Sequence, residues 1–149
     1  MATRVNNNKK LQALRELKKR ATLNGYRSNF ESFAREQIKV LPKDVSKGFI
    51  PFEFNSAQHI INDAVENQLR ERGKVRVIIL KARQMGISTW ATSRVFWRAY
   101  LNPHHKSVVM AHDAATSDAL FNMSRNIIDC MPPLFRPAFK KSNAKEIMF

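Results

Sequence analysis

Val75-Arg76-Val77-Ile78-Ile79-Leu80-Lys81-Ala82-Arg83-Gln84-Met85-Gly86-Ile87-Ser88-Thr89 is the stretch whose reading decides the fold. Its first six residues are apolar apart from Arg76 and four of them are β-branched, the composition of a strand covered on both faces, as in a parallel sheet under helices. Lys81 to Gly86 then turn the chain, and a helix is predicted from about Ser88 to Leu101, ending before Pro103. Ser107 to Ala111 (SVVMA) reads as a second short strand. Helical spacing resumes at Ala115, Ala119, Met123 and Ile127 until Pro132-Pro133. Strand, helix, strand, helix in that order predicts an α/β chain with parallel strands and right-handed crossovers.

Upstream, Ala57, Ile60, Ile61, Ala64, Val65 and Leu69 fall on one face of a helix. Asn55 or Ser56 would cap its start, and Gly73 would end it. Lys43 to Pro51 reads as an irregular linker. Before it, Phe30, Phe33, Ala34 and Ile38 share a helical face, and Pro42 discourages continuation. Residues 1–27 hold eight basic residues (Arg4, Lys9, Lys10, Arg15, Lys18, Lys19, Arg20, Arg27) and one acid, Glu16. Leu11, Leu14 and Leu17, with Ala21 beyond, give this arm the pattern of a basic amphipathic helix that touches a partner or phosphates; a solvated tail fits the same residues. The division that follows is a basic arm and helix over residues 1–48, then a second region over residues 49–149.

The 149 residues are 44% apolar, enough for one sizeable core. With 26 Lys and Arg against 12 Asp and Glu, the net charge of +14 favours polyanions, chiefly nucleic acid. The single cysteine, Cys130, excludes an intrachain disulfide and a Cys-based zinc ribbon. No apolar run approaches the roughly 20 residues that span a bilayer, so no membrane partner is expected. His104 and His105 read as loop residues, with no third ligand at metal-binding spacing.

A turn between strand and helix presents successive backbone N–H groups, and the positive end of a helix, to an anion. In the standard phosphate loop, G-x-x-x-x-G-K-[ST], Lys reaches the terminal phosphates and the hydroxyl holds magnesium. Here Gly86-Ile87-Ser88 stands in place of G-K-[ST], so the cation must come from Lys81 or Arg83. Two readings stay open on the residues alone. One is a phosphate cradle, and the other a solvated basic turn with Ser88 or Thr89 as an ordinary helix cap.

"LKARQMGIST", residues 80–89, resembles the variant phosphate-binding loop of phage terminase large subunits, in which some members carry the lysine at the start of the loop, where Lys81 stands. "PFEFNSAQHII", residues 51–61, is similar to the family's segment in which a Gln after aromatic residues contacts adenine, which implies that role for Gln58. "SVVMAHDAATSDALF" resembles the motor's second strand and following helix, with weaker assignments at His112, Asp113 and Ser117. The resemblance spans about residues 30–149.

It implies an ATP- and Mg2+-binding motor that packages viral DNA, built on a P-loop NTPase-type parallel sheet flanked by helices. The backbone of Ala82, Arg83, Gln84, Met85, Gly86 and Ile87 would cradle phosphates and Lys81 would neutralise them. Arg83 would support or sense the γ-phosphate, Ser88 would ligate magnesium, and Thr89 would be the reserve hydroxyl. The implied partners are double-stranded DNA, a small terminase subunit and a portal protein, in the host cytoplasm during virion assembly and outside the mature virion. Neither an acidic motif ending a strand nor a nuclease domain is found, so the expectation is the first half of an ATPase domain that binds nucleotide but does not turn it over alone. Two alternatives stand beside it: a helicase-type translocase fragment, which would normally keep Lys after the loop Gly, and a non-catalytic basic DNA-binding module.

Overall fold

Phe30, Phe33 and Ala34 recur at three- and four-residue spacing, so a helix through them must bury one face. Helix α2, Phe30–Gln37, does so: all three are buried, and the side chain of Asn29 caps its start by accepting from Ser32 N–H at 2.9 Å. The computed structural model describes all residues except 1, 43, 103, 138–140, 143–146 and 149. Ahead of α2 runs α1, Ala2–Tyr26; behind it lie α3, Ser56–Arg72, α4, Ile87–Leu101, and α5, Ala114–Cys130. Two-residue strands β1, Lys39–Val40, and β2, Ile50–Pro51, pair antiparallel, Lys39 opposite Pro51. A second antiparallel pair joins β3, Lys141–Ser142, to β4, Ile147–Met148.

The core is aromatic and lies mainly between α2 and α4. Phe30 meets Phe54, Trp90 and Trp97 at centroid distances of 5.4, 6.1 and 5.3 Å, and Phe33 meets Tyr26 edge-on at 5.5 Å. The guanidinium of Arg94 lies 5.4–5.6 Å from the ring centroids of Phe30, Trp90 and Trp97. It also bonds Asn62 Oδ1 at 3.1 Å and Glu66 at 2.8 Å, tying α3 to α4. Ile127, Ile128 and Met131 close the core from α5. At the end of α1, Tyr26 is pinned three ways. Its hydroxyl donates to Glu36 at 2.6 Å and accepts from Gln37 Nε2 at 3.0 Å, while its carbonyl accepts from Trp97 Nε1 at 2.9 Å. Further up α1, Leu11, Leu14 and Leu17 are exposed, and the leucine stripe stays out of the core formed by the described residues.

The helices follow the sequence reading closely, including Gly73, which ends α3 in the left-handed conformation at φ 65°. The expected stop at Pro103 lies outside the described residues. The parallel P-loop sheet does not form. Val75 to Leu80 and Ser107 to Ala111 hold no regular secondary structure and pair with no strand among the described residues, and Ile78 and Leu80 are 93% and 96% exposed. A strand buried on both faces needs neighbouring strands for its backbone and helices over its side chains. Among the described residues only the two short antiparallel pairs make a ladder. The apolar surface is buried instead by helix on helix, and the fold is a mostly helical assembly.

Candidate nucleotide site

The capping box at the start of α3 is also the clamp on the loop that precedes α4. Asn55 Oδ1 accepts from Gln58 N–H at 3.0 Å, and Gln58 Oε1 accepts from Asn55 N–H at 2.9 Å, the reciprocal pair that satisfies two of a helix's orphan donors. The donor ends of the same two amides reach about thirty residues along the chain. Asn55 Nδ2 donates to the Met85 carbonyl at 3.2 Å, and Gln58 Nε2 to the Gly86 carbonyl at 2.8 Å. Gln58 is 3% exposed, with both ends of its amide engaged.

The loop earns its shape from two left-handed residues, Gln84 at φ 63° and Gly86 at φ 69°. Glycine is required at 86 on two counts. A β-carbon there would sit 2.8 Å from Gln58 Nε2, and the backbone is in the region that side chains disfavour. Gly86 is the N-cap of α4 and offers no side-chain cap, while its carbonyl closes the first turn by accepting from Trp90 N–H at 3.1 Å. The first N–H groups of a helix have no intrahelical acceptor, so this end points uncapped amides and the positive end of the dipole at the loop.

Lys81, Ala82, Arg83 and Gln84 are exposed, Met85 half-buried, Ile87 buried, Ser88 exposed and Thr89 half-buried. Neither Lys81 nor Arg83 has an ion-pair partner among the described residues. Ile87, in the place where lysine normally stands, points into the protein as a core residue. Cations on the approach, uncapped amides at the base and a free hydroxyl at Ser88 form an arrangement suited to an anion of the size of phosphate.

The weaker sequence candidates have structural occupations. Asp113 caps α5, accepting from Thr116 N–H at 2.8 Å and Thr116 Oγ1 at 2.7 Å; these bonds hold its carboxyl below the ordinary aspartate range. His112 pairs with it at 2.7 Å on an exposed surface, and Ser117 lies half-buried on the first turn of α5, its N–H bonded to the Asp113 carbonyl at 3.2 Å. His104 and His105 are exposed, and among the described residues no group of His, Cys, Asp and Glu could hold a metal ion.

Sequence reasoning missed two features. Asn55 does more than cap, and a cap followed at the third position by Gln is the signal that pointed to it. On α5, Asn122 and Asn126 line a cleft of about 250 Å3 with Thr89 of α4 on another wall; their four-residue spacing places them on one helix face. Among the described residues no helix is long and apolar enough to cross a membrane. Comparison with protein-family models, with curated proteins and with solved structures finds no match to this chain.

Proposed function

We propose that residues 81–89 are a nucleotide phosphate-binding loop and that this chain is the ATP-binding part of a DNA-packaging motor of the terminase large-subunit type. The observation that carries the reading is the clamp. The two stretches that resemble the family, residues 51–61 and 80–89, meet through Gln58 and Asn55, which fix the carbonyls of Met85 and Gly86 and so leave the amides of α4 facing outward. The reading rests on the loop and its clamp, and no parallel sheet enters it.

In this reading the N–H groups from Arg83 to Ser88 cradle the phosphates, and Lys81 and Arg83 add charge where the standard loop has lysine. Ser88 is the protein's ligand to Mg2+, an ion that keeps several waters and takes few protein ligands beside substrate phosphates. When bound, Mg2+ would neutralise phosphate charge. The proposal is for binding, and no residue is assigned the base that orients an attacking water. The test is ATP affinity in the presence of Mg2+. Lys81→Ala should weaken it at least tenfold, the loss of about one charge-assisted contact. Unchanged affinity would return the loop to a solvated turn.

A second reading is a basic DNA-binding module. Its support is α1, where Lys9, Lys10, Arg15, Lys18 and Arg20 are exposed beside a single acid. Deleting residues 1–27 should lower the salt slope of duplex DNA binding, and an unchanged slope would remove α1 from it.

A further inference from the structure

The cleft between the β1–β2 hairpin and α5 shares one residue, Thr89, with the 81–89 stretch. Leu41 and Phe49 stand exposed at the hairpin, Met123 and Ile127 form the α5 wall, and Thr89, three residues past Gly86, belongs to the first turn of α4. Asn122 and Asn126 project from α5 into the same space, and neither side-chain amide has a hydrogen-bond partner among the described residues. A slot lined by apolar side chains, one aromatic ring, Lys39 and two free carboxamides is chemically matched to a planar heterocycle with donors and acceptors on its edge. At about 250 Å3 the cleft is below the roughly 300–1,000 Å3 of pockets that enclose a whole drug-sized ligand, so it suits one ring system with the rest of the ligand outside.

Resting on the phosphate-loop reading, we propose that this cleft takes the base of the bound nucleotide, stacked against Phe49 and Leu41 and held at its polar edge by Asn122 and Asn126. Gln58 is committed to the loop: it is 3% exposed, and its amide bonds Asn55 N–H at 2.9 Å and the Gly86 carbonyl at 2.8 Å.

The experiment compares Mg-ATP with Mg-tripolyphosphate binding by calorimetry, in the full chain and in Asn122→Ala/Asn126→Ala. Alanine is the stronger helix former, so the double variant keeps α5. The expected result is that ATP binds the full chain more tightly than tripolyphosphate. The double variant should lose about tenfold in ATP affinity, two modest hydrogen bonds, with tripolyphosphate binding unchanged. ATP binding no tighter than tripolyphosphate, or tighter but indifferent to the double substitution, overturns the base site and leaves the phosphate loop standing. No binding of tripolyphosphate overturns the loop and the base site together.

Discussion

Gln58→Ala removes both ends of the clamp with one substitution, and the structure sets the size of the effect. The amide of Gln58 accepts from Asn55 N–H and donates to the Gly86 carbonyl. Loss of half of a capping box costs about 1 kcal/mol. Loss of one largely buried hydrogen bond costs about another 1 kcal/mol, because the Gly86 carbonyl keeps only its bond from Trp90 N–H. A total of about 2 kcal/mol corresponds to a melting-temperature drop of roughly 4–8 °C at this chain length.

Gln58→Glu separates the two halves. The carboxylate still accepts from Asn55 N–H but turns an oxygen toward the Gly86 carbonyl, so the cap survives and the loop contact is lost. Thermal unfolding gives the stability, and limited trypsin digestion gives the loop, since Lys81 and Arg83 are exposed cleavage sites. Both variants should be cut faster there than the parent chain. A Gln58→Ala protein that melts within 1 °C of the parent and is digested at the same rate would refute the clamp.

Three further outcomes follow from the packing. Gly86→Ala should destabilise by about 1–2 kcal/mol, from the left-handed backbone and the 2.8 Å approach to Gln58 Nε2; in a Gln58→Ala background the cost should shrink, which denaturant unfolding of the double-mutant cycle would read. Arg94→Met should cost about 3 kcal/mol in the same assay, since it leaves Glu66 without its 2.8 Å partner and strips the cation from three rings; a loss under 1 kcal/mol would mean that the aromatic stack holds α3 and α4 without it. Burial pushes the Tyr100 phenol up to about 12, and its hydroxyl donates to the Phe135 carbonyl at 2.5 Å. The unfolded phenol ionises near 10, so this contribution is complete below pH 10 and is lost as pH rises through 12. Stability should fall by about 1 kcal/mol across that window in the parent, a figure reduced for the ring's partial exposure, and less in Tyr100→Phe.

The helices were legible because their signals are local. Asn55 or Ser56 marks a start, Gly73 an end, and the apolar spacing of Phe30, Phe33 and Ala34 a buried face. The sheet was misread because its signal is not local. Val77, Ile78, Ile79 and Leu80 carry strand composition, but a strand exists only when another strand completes its ladder, and the described residues offer none to it. The resemblance singled out Gln58 and the loop, and the structure brings the two together. The way Gln58 is used was beyond sequence, because its bond to Gly86 spans 28 residues and depends on how α3 and α4 pack. Asn122 and Asn126 carried no readable signal, since two exposed asparagines on a helix acquire meaning only from the cleft they line.

Whether the amides of the 81–89 loop form an anion site is tested most directly by titrating isotopically labelled protein with Mg-tripolyphosphate and following backbone amide resonances. Saturable shifts are expected, largest at Gly86, Ile87, Ser88 and Thr89, and weakened in Lys81→Ala. Shifts confined to α1, or no saturable shift at residues 84–89, would contradict the anion site.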